Sequence, residues 1–229
     1  MGADGVLLLE DGETVPLRMR YFNSDGREAA MCGNGARCIV FFARKKKIVD
    51  SDLFSLEASD GVHHARVEGS DVILGMARPT GFRSGLDILR ESEFVEGGFV
   101  DTGVSHFVIF VPDADRVDVK TVGRFYRNHE VFRGGANVNF VQLLGENRIR
   151  VRTYEKGVEG ETLSCGTGCV ASAFFAGKQR GYASPVQVVT RGGELTVRFD
   201  KEWDEVSLTG RVEIVYEGVL FLDSKITLV

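Results

Sequence analysis

Two stretches of this chain repeat one another 133 residues apart, and any fold must accommodate both. Leu17-Arg18-Met19-Arg20-Tyr21-Phe22 and Ile149-Arg150-Val151-Arg152-Thr153-Tyr154 each alternate apolar and basic residues. That is the period of two expected of a strand with one buried face. A polar, glycine-containing turn follows each: Asn23-Ser24-Asp25-Gly26 in the first, Glu155-Lys156-Gly157 in the second. Then come Glu28 and Glu161, then Met31-Cys32-Gly33-Asn34-Gly35 and Ser164-Cys165-Gly166-Thr167-Gly168, then Phe41-Phe42-Ala43 and Phe174-Phe175-Ala176. Cys165, Glu161 and Phe174 each lie 133 residues after Cys32, Glu28 and Phe41, while the strands are offset by 132, so one residue is inserted in the second turn. One Cys-Gly-x-Gly match is commonplace. A strand, turn, glutamate, Cys-Gly-x-Gly and Phe-Phe-Ala in register mark the halves as copies.

Each copy reads as strand, turn, and a cysteine at the mouth of a helix. Helical patterns run over 36–47 and 169–180, the second stopped by Gly181. An apolar strand follows Gly5, and short β-branched runs separated by turn residues lie at 65–67, 72–74, 107–111, 138–143, 185–189, 194–199, 205–208 and 212–216. The breaker cluster Arg78-Pro79-Thr80-Gly81 is the expected join between halves. The expected architecture is α+β. Two pseudo-symmetric domains, 1–78 and 79–217, each wrap a curved, mostly antiparallel sheet around a central helix.

Composition removes several classes of function. The net charge is −5, without the basic face that nucleic acid requires. Arg44-Lys45-Lys46-Lys47 sits at the end of a helical pattern, where cations complement the helix dipole. No run approaches the ~20 apolar residues of a membrane helix, and no charged-then-apolar leader opens the chain. A cytoplasmic protein binding neither membrane nor nucleic acid is expected, its four cysteines (Cys32, Cys38, Cys165, Cys169) being free thiols.

A helix N-terminus presents unpaired N–H groups and about half a positive charge. Glycines beside a cysteine let a ligand approach that backbone closely. Such a mouth can hold a carboxylate and is expected to lower the thiol's pKa from ~8.5 toward neutrality. Two mouths facing each other across a cleft would present a sulfur to each face of one α-carbon. Inverting a stereocentre needs a base on one face and an acid on the other, and a duplicated domain supplies both by symmetry. The expected substrate is a small amino acid, and the scheme needs no pyridoxal phosphate, no metal and no other cofactor.

Other readings of the same residues stand beside this one. Cys32 and Cys165 could be small buried residues, or could form a redox pair; Cys38 and Cys169 read as packing residues. A four-cysteine zinc site fits poorly, because the spacings C-x5-C and C-x3-C are not the usual C-x2-C knuckles. His63, His64 and His129 read as surface residues, and His106 as a core or cleft-lining one. Asp4, Asp25 and Glu28 suit turn and cap roles. Glu161 either orients the cysteine loop or touches a substrate amino group.

At Asn23-Ser24-Asp25-Gly26, Cys32-Gly33-Asn34-Gly35-Ala36-Arg37-Cys38, Glu155-Lys156-Gly157 and Gly160-Glu161-Thr162 with Cys165-Gly166-Thr167-Gly168, the chain resembles the diaminopimelate epimerase family. Gly2-Ala3-Asp4-Gly5-Val6 and Asn137-Val138-Asn139-Phe140 carry the likeness further. The resemblance implies interconversion of LL- and meso-diaminopimelate for lysine and cell-wall synthesis. It makes Cys32 and Cys165 the catalytic pair, and Gly33, Asn34, Gly166 and Thr167 the backbone holding the reacting carboxylate. Asn23, Asn137 and Glu155, with Lys156, would read the distal end, and the segment from Gly218 would return to the first domain; a homodimer is compatible with this. Lys156 stands where the family has arginine, giving a point charge in place of a fork, and Val104 stands where many members have asparagine. The family's opening Gly-Asn-Asp-Phe strand has no match, so a missing N-terminal element is expected. The alternatives are the related proline racemase and hydroxyproline epimerase group, which has histidine where this chain has Asn34, and a metal- or ligand-binding protein on the same fold.

Overall fold

The repeat continues well beyond the residues that advertise it. The computed structural model describes residues 5–29, 31–90 and 93–218. The first half comprises β1 (Gly5–Asp11), β2 (Leu17–Asn23), β3 (Glu28–Ala29), α1 (Gly33–Lys45), β4 (Leu53–Ala58), β5 (Gly61–Glu68) and β6 (Asp71–Met76). The second half repeats this series as β10 (Asn137–Gly145), β11 (Arg148–Glu155), β12 (Gly160–Thr162), α3 (Gly166–Arg180), β13 (Val186–Thr190), β14 (Gly193–Phe199) and β15 (Val206–Arg211). Between them lie β7 (Thr80–Arg90), β8 (Glu93–Asp101), β9 (Ser105–Phe110), a 3₁₀ turn at Ala114–Arg116 and α2 (Val119–Arg127).

Strand register repeats with the sequence. Val6 pairs with Phe22 as Val138 pairs with Tyr154, and Phe22 with Glu28 as Tyr154 with Glu161. The parallel contact Leu17–Leu56 recurs as Ile149–Val188, and Leu56–His63 recurs as Val188–Leu195. The two halves meet where β6 pairs antiparallel with β15, with Leu74 opposite Leu208. These two leucines are counterparts, since Ala65–Leu74 matches Val197–Leu208. A pseudo-two-fold axis therefore passes between them. The described strands form one continuous sheet, antiparallel except at β2–β4, β9–β10 and β11–β13.

The two central helices are buried in different ways. On α1 the buried apolar residues Ala36, Ile39, Val40 and Ala43 follow the i, i+3, i+4, i+7 stripe of a helix laid on one sheet face. They pack with Leu17, Met19, Leu56 and Leu74. On α3 every residue from Gly168 to Ala176 is buried, so the helix is enclosed by Val186, Val197, Trp203 and Leu208. A further core forms under α2 around Tyr126, Phe107, Phe140 and Tyr154. Leu74 and Leu208 are fully buried, each stabilising the seam by about 1.5–3 kcal/mol relative to exposure.

Several sequence expectations are revised. Both helices start at the glycine after the cysteine, three residues before the apolar pattern does. The sequence pattern gives no sign of β7, β8 or α2, and α2 adds a helix between the two repeats beyond the two central ones. No strand forms at 212–216: β15 ends at Arg211 and residues 212–218 are irregular, although Val212 still buries in the first core. The expected return from Gly218 and the Gly2–Asp4 match lie outside the described residues. Among those described, no helix is long and apolar enough to cross a membrane.

Candidate active site

Cys32 and Cys165 are the N-cap residues of α1 and α3. Their backbones nearly coincide, with φ −126° and ψ 107° at Cys32 and φ −119° and ψ 111° at Cys165. The Cys32 sulfur accepts the N–H of Gly35 at 3.3 Å, and the Cys165 sulfur lies 3.4 Å from the Thr167 hydroxyl. The two mouths abut at the pseudo-axis. A Cβ on Gly166 would stand 3.5 Å from the Gly33 Cα and 3.0 Å from a Leu208 methyl, and a Cβ on Gly33 would stand 3.7 Å from the Gly166 Cα. A Cβ on Gly166 would press on that methyl, whereas one on Gly33 would meet only ordinary contacts, so the close approach leans on glycine at 166. The Asn34 amide crosses the junction, donating from Nδ2 to the Ser164 carbonyl at 3.0 Å.

The electrostatics correct one expectation. Burial is the largest influence on both thiols and raises them above the ordinary cysteine value, and the Glu155 carboxylate raises them further. The helix-mouth N–H groups of Gly35 and Gly168 pull the other way without prevailing. Glu155 is itself raised by burial. In this poorly solvated space the Glu155 carboxylate thus disfavours thiolate at both sulfurs. A cationic group placed beside them would favour the charged form of each.

The remaining predicted residues divide into those at the mouths and those around them. Gly33, Asn34, Gly166 and Thr167 form the mouths, and Thr102 on the loop carrying Val104 donates to the Thr167 carbonyl at 3.1 Å. Asn23 and Glu155 end β2 and β11 and are counterparts, 132 residues apart. Asn137 is buried, its Nδ2 donating to the Ser105 carbonyl at 3.2 Å and its Oδ1 accepting the Lys156 N–H at 2.8 Å. It therefore holds the Glu155-Lys156 turn, while the Lys156 side chain is exposed. Glu161 grips Arg152 bidentately at 2.7 and 2.8 Å and also receives Arg191 at 3.0 Å. Arg20 and Glu28 repeat the bidentate pair at 2.8 and 2.9 Å. Glu161 anchors the strand that leads to Cys165.

Other assignments move. Cys169 is buried as expected, its thiol pushed up to about 12 by burial, but Cys38 is exposed. His63 is largely buried, bonded to Asp60 at 2.9 Å and to the Gly75 carbonyl at 3.2 Å. Among the described residues, no three of His, Cys, Asp and Glu gather closely enough to hold a metal ion.

Two features carry more than the sequence suggests: His106, expected to line the core or the cleft, and Arg37. His106 is wholly buried and held neutral, its pKa lowered to about 3 by burial. Its Nδ1 accepts from Asn139, whose Oδ1 accepts the Thr153 hydroxyl at 3.0 Å, and this network packs against Gly168 in the first turn of α3. In the first half Leu7 takes the corresponding place against Gly35. Arg37 stands in the sequence as a member of the Cys32–Cys38 motif and as a charge inside an apolar helical face.

The sequence profile describing diaminopimelate epimerase matches residues 1–80 and 98–215. The chain belongs to the diaminopimelate epimerase family. The diaminopimelate epimerase of Aquifex aeolicus is 43% identical over 226 residues, covering 96% of this chain and 81% of its own length. That of Chlorobaculum tepidum is 41% identical over 229 residues, covering 97% and 87%. Among solved structures, a hydroxyproline epimerase from Agrobacterium vitis with bound trans-4-hydroxy-L-proline superposes with a TM-score of 0.72 at 15% identity, over 90% of this chain and 71% of that one. It shares the fold of the diaminopimelate epimerase family.

Proposed function

We propose that the protein interconverts LL- and meso-diaminopimelate by moving a proton at one α-carbon between Cys32 and Cys165. The observation that carries this reading is the meeting of two cysteine-capped helix mouths at the pseudo-two-fold axis, Gly33 against Gly166. Free N–H groups at both mouths can hold the substrate's α-carboxylate. Symmetry then offers one thiol to each face of the α-carbon. As the proton leaves, charge moves into the carboxylate as enediolate character, where fixed N–H donors stabilise it most; one such donor is worth about 10²–10³ in rate.

Burial keeps both thiols protonated in the protein by itself, so the base has to be produced when substrate binds. The substrate's ammonium brings a positive charge into a space that otherwise disfavours thiolate, lowering the thiol it faces. Each direction of reaction uses one sulfur as base and the other as acid. Glu155 reads an ammonium of the substrate, Asn23 is assigned to the same distal end as its counterpart, and Asn137 acts by fixing the Glu155-Lys156 turn. The two domains, 1–78 with 218–229 and 79–217, would close on the substrate and exclude water. A reducing cytoplasm suits a site that needs two free thiols.

The rival within this chemistry is a proline-type racemase. Asn34 in place of histidine and the 43% identity to a diaminopimelate epimerase favour the first reading. Deuterium incorporation from solvent into LL- and meso-diaminopimelate, set against proline, lysine and ornithine, decides between them. Exchange into diaminopimelate alone is expected, and exchange confined to the other three would overturn the assignment.

A further inference from the structure

Arg37 lies one turn into α1 and is only 6% exposed. Its Nη1 donates to the Gly33 carbonyl at 3.3 Å and its Nη2 to the Asn34 Oδ1 at 2.8 Å, while Nε is buried with no partner. No carboxylate pairs with it among the described residues. A buried guanidinium without an anion is costly, and a cation in the first turns of a helix also opposes the helix dipole. The pseudo-symmetric position on α3 is Val170, so the charge is not a requirement of the fold.

Its surroundings show where that charge acts. A Cβ on Gly166 would lie 3.9 Å from Nη1, and a Cβ on Gly210 of β15 would lie 3.0 Å from Nε, so the guanidinium sits directly behind both helix mouths. Through Asn34 it reaches the Ser164 carbonyl, linking the two cysteine-bearing segments in one chain of hydrogen bonds.

We propose that Arg37 is a positioning residue whose unpaired charge serves both mouths: it fixes the Asn34 bridge between them and supplies the counter-charge for the anion held there. The proposal rests on the epimerase reading for the identity of that anion, the substrate carboxylate and the enediolate that follows. Asn34 held by Arg37 keeps the mouths in register. The positive charge favours thiolate at Cys32, opposing burial and the Glu155 carboxylate. The ionisable groups facing this pair are Glu155 from β11, Cys38 on α1 itself and Cys169 on α3.

The test uses the full chain in a Cys38→Ser background, so that Cys32 alone reports from α1. The pH dependence of Cys32 alkylation by iodoacetamide, read by mass spectrometry, is compared in the parent, Arg37→Lys and Arg37→Met, alongside kcat and KM for LL-diaminopimelate. Removing a nearby cation raises a thiol, so Arg37→Met should move the alkylation midpoint up by roughly one pH unit. It should also cut kcat about 100-fold with KM changed less than about fivefold. Arg37→Lys should hold the midpoint and recover part of kcat. If Arg37→Met does not fold, Arg37→Gln takes its place. A folded neutral variant with the parent midpoint, or a lysine variant indistinguishable from it, overturns the proposal. A parent that does not epimerise diaminopimelate overturns the substrate assignment instead, and the alkylation midpoints still decide the role of Arg37.

Discussion

At the scale of single residues, the chemistry is expected to rest on two sulfurs. Cys32→Ala and Cys165→Ala should each lower epimerisation by about 10³-fold or more, the upper part of the range for losing an acid or base, with thermal melting little changed. Racemisation at the parent rate by either variant would refute the two-base assignment. Burial and Glu155 raise both thiols, so alkylation of Cys32 in the free enzyme should have a midpoint above the ordinary ~8.5. A midpoint near 7 would show that the helix mouth prevails. The cysteines, their glycines, Asn34 and Glu155 were legible because a motif repeated in register leaves little freedom to its parts. The sign of the thiol shift was not, since a sequence displays the helix mouth but not the depth of burial. The His106–Asn139–Thr153 network was not legible as a site either, because its members come from separate strands 33 and 14 residues apart, and Arg37 was not, because what sets its position is Gly166 and Gly210 of the facing half.

At the scale of elements, the two helix mouths are alike in backbone and unlike in support. Against Gly35 lies a Leu7 methyl, 2.9 Å from where a Cβ would stand, the free end of a flexible side chain. Against Gly168 lies Asn139, locked by His106 and Thr153. Gly168→Ala should therefore cost about 1–3 kcal/mol through overpacking, and Gly35→Ala distinctly less, as measured by urea unfolding; equal costs would mean that the network does not stiffen α3. Cys169 adds a pH dependence. Its thiol titrates near 8.5 when unfolded and about 12 when folded, so its contribution is intact below 8.5 and lost as pH rises through 12. Stability should fall above pH 8.5, and Cys169→Ala should flatten that fall; a decline of the same slope in the variant would assign it elsewhere. Strands with alternating residues were readable, whereas β7 and β8 lack clean alternation and α2 is too short for its period to stand out from the flanking turns.

At the scale of the whole molecule, the duplication places the site. Leu74 and Leu208 face one another at the seam, and a Leu208 methyl also lies beside the glycines of both mouths, 4.0 and 3.0 Å from where a Cβ would stand on Gly33 and Gly166. Both leucine-to-alanine variants should lose about 2–5 kcal/mol, but only Leu208→Ala should also lower kcat; equal activity in the two would separate the seam from the site. The sequence disclosed that there were two copies. It did not disclose that β6 and β15 join them edge to edge, because pairing between distant strands leaves no local pattern. The central claim is that one α-carbon lies between two thiols, and a single turnover of LL-diaminopimelate in heavy water tests it most directly. The account predicts that the meso product carries one deuterium at the inverted centre while recovered substrate carries none. Product retaining protium, delivered back by the group that removed it, would contradict the account.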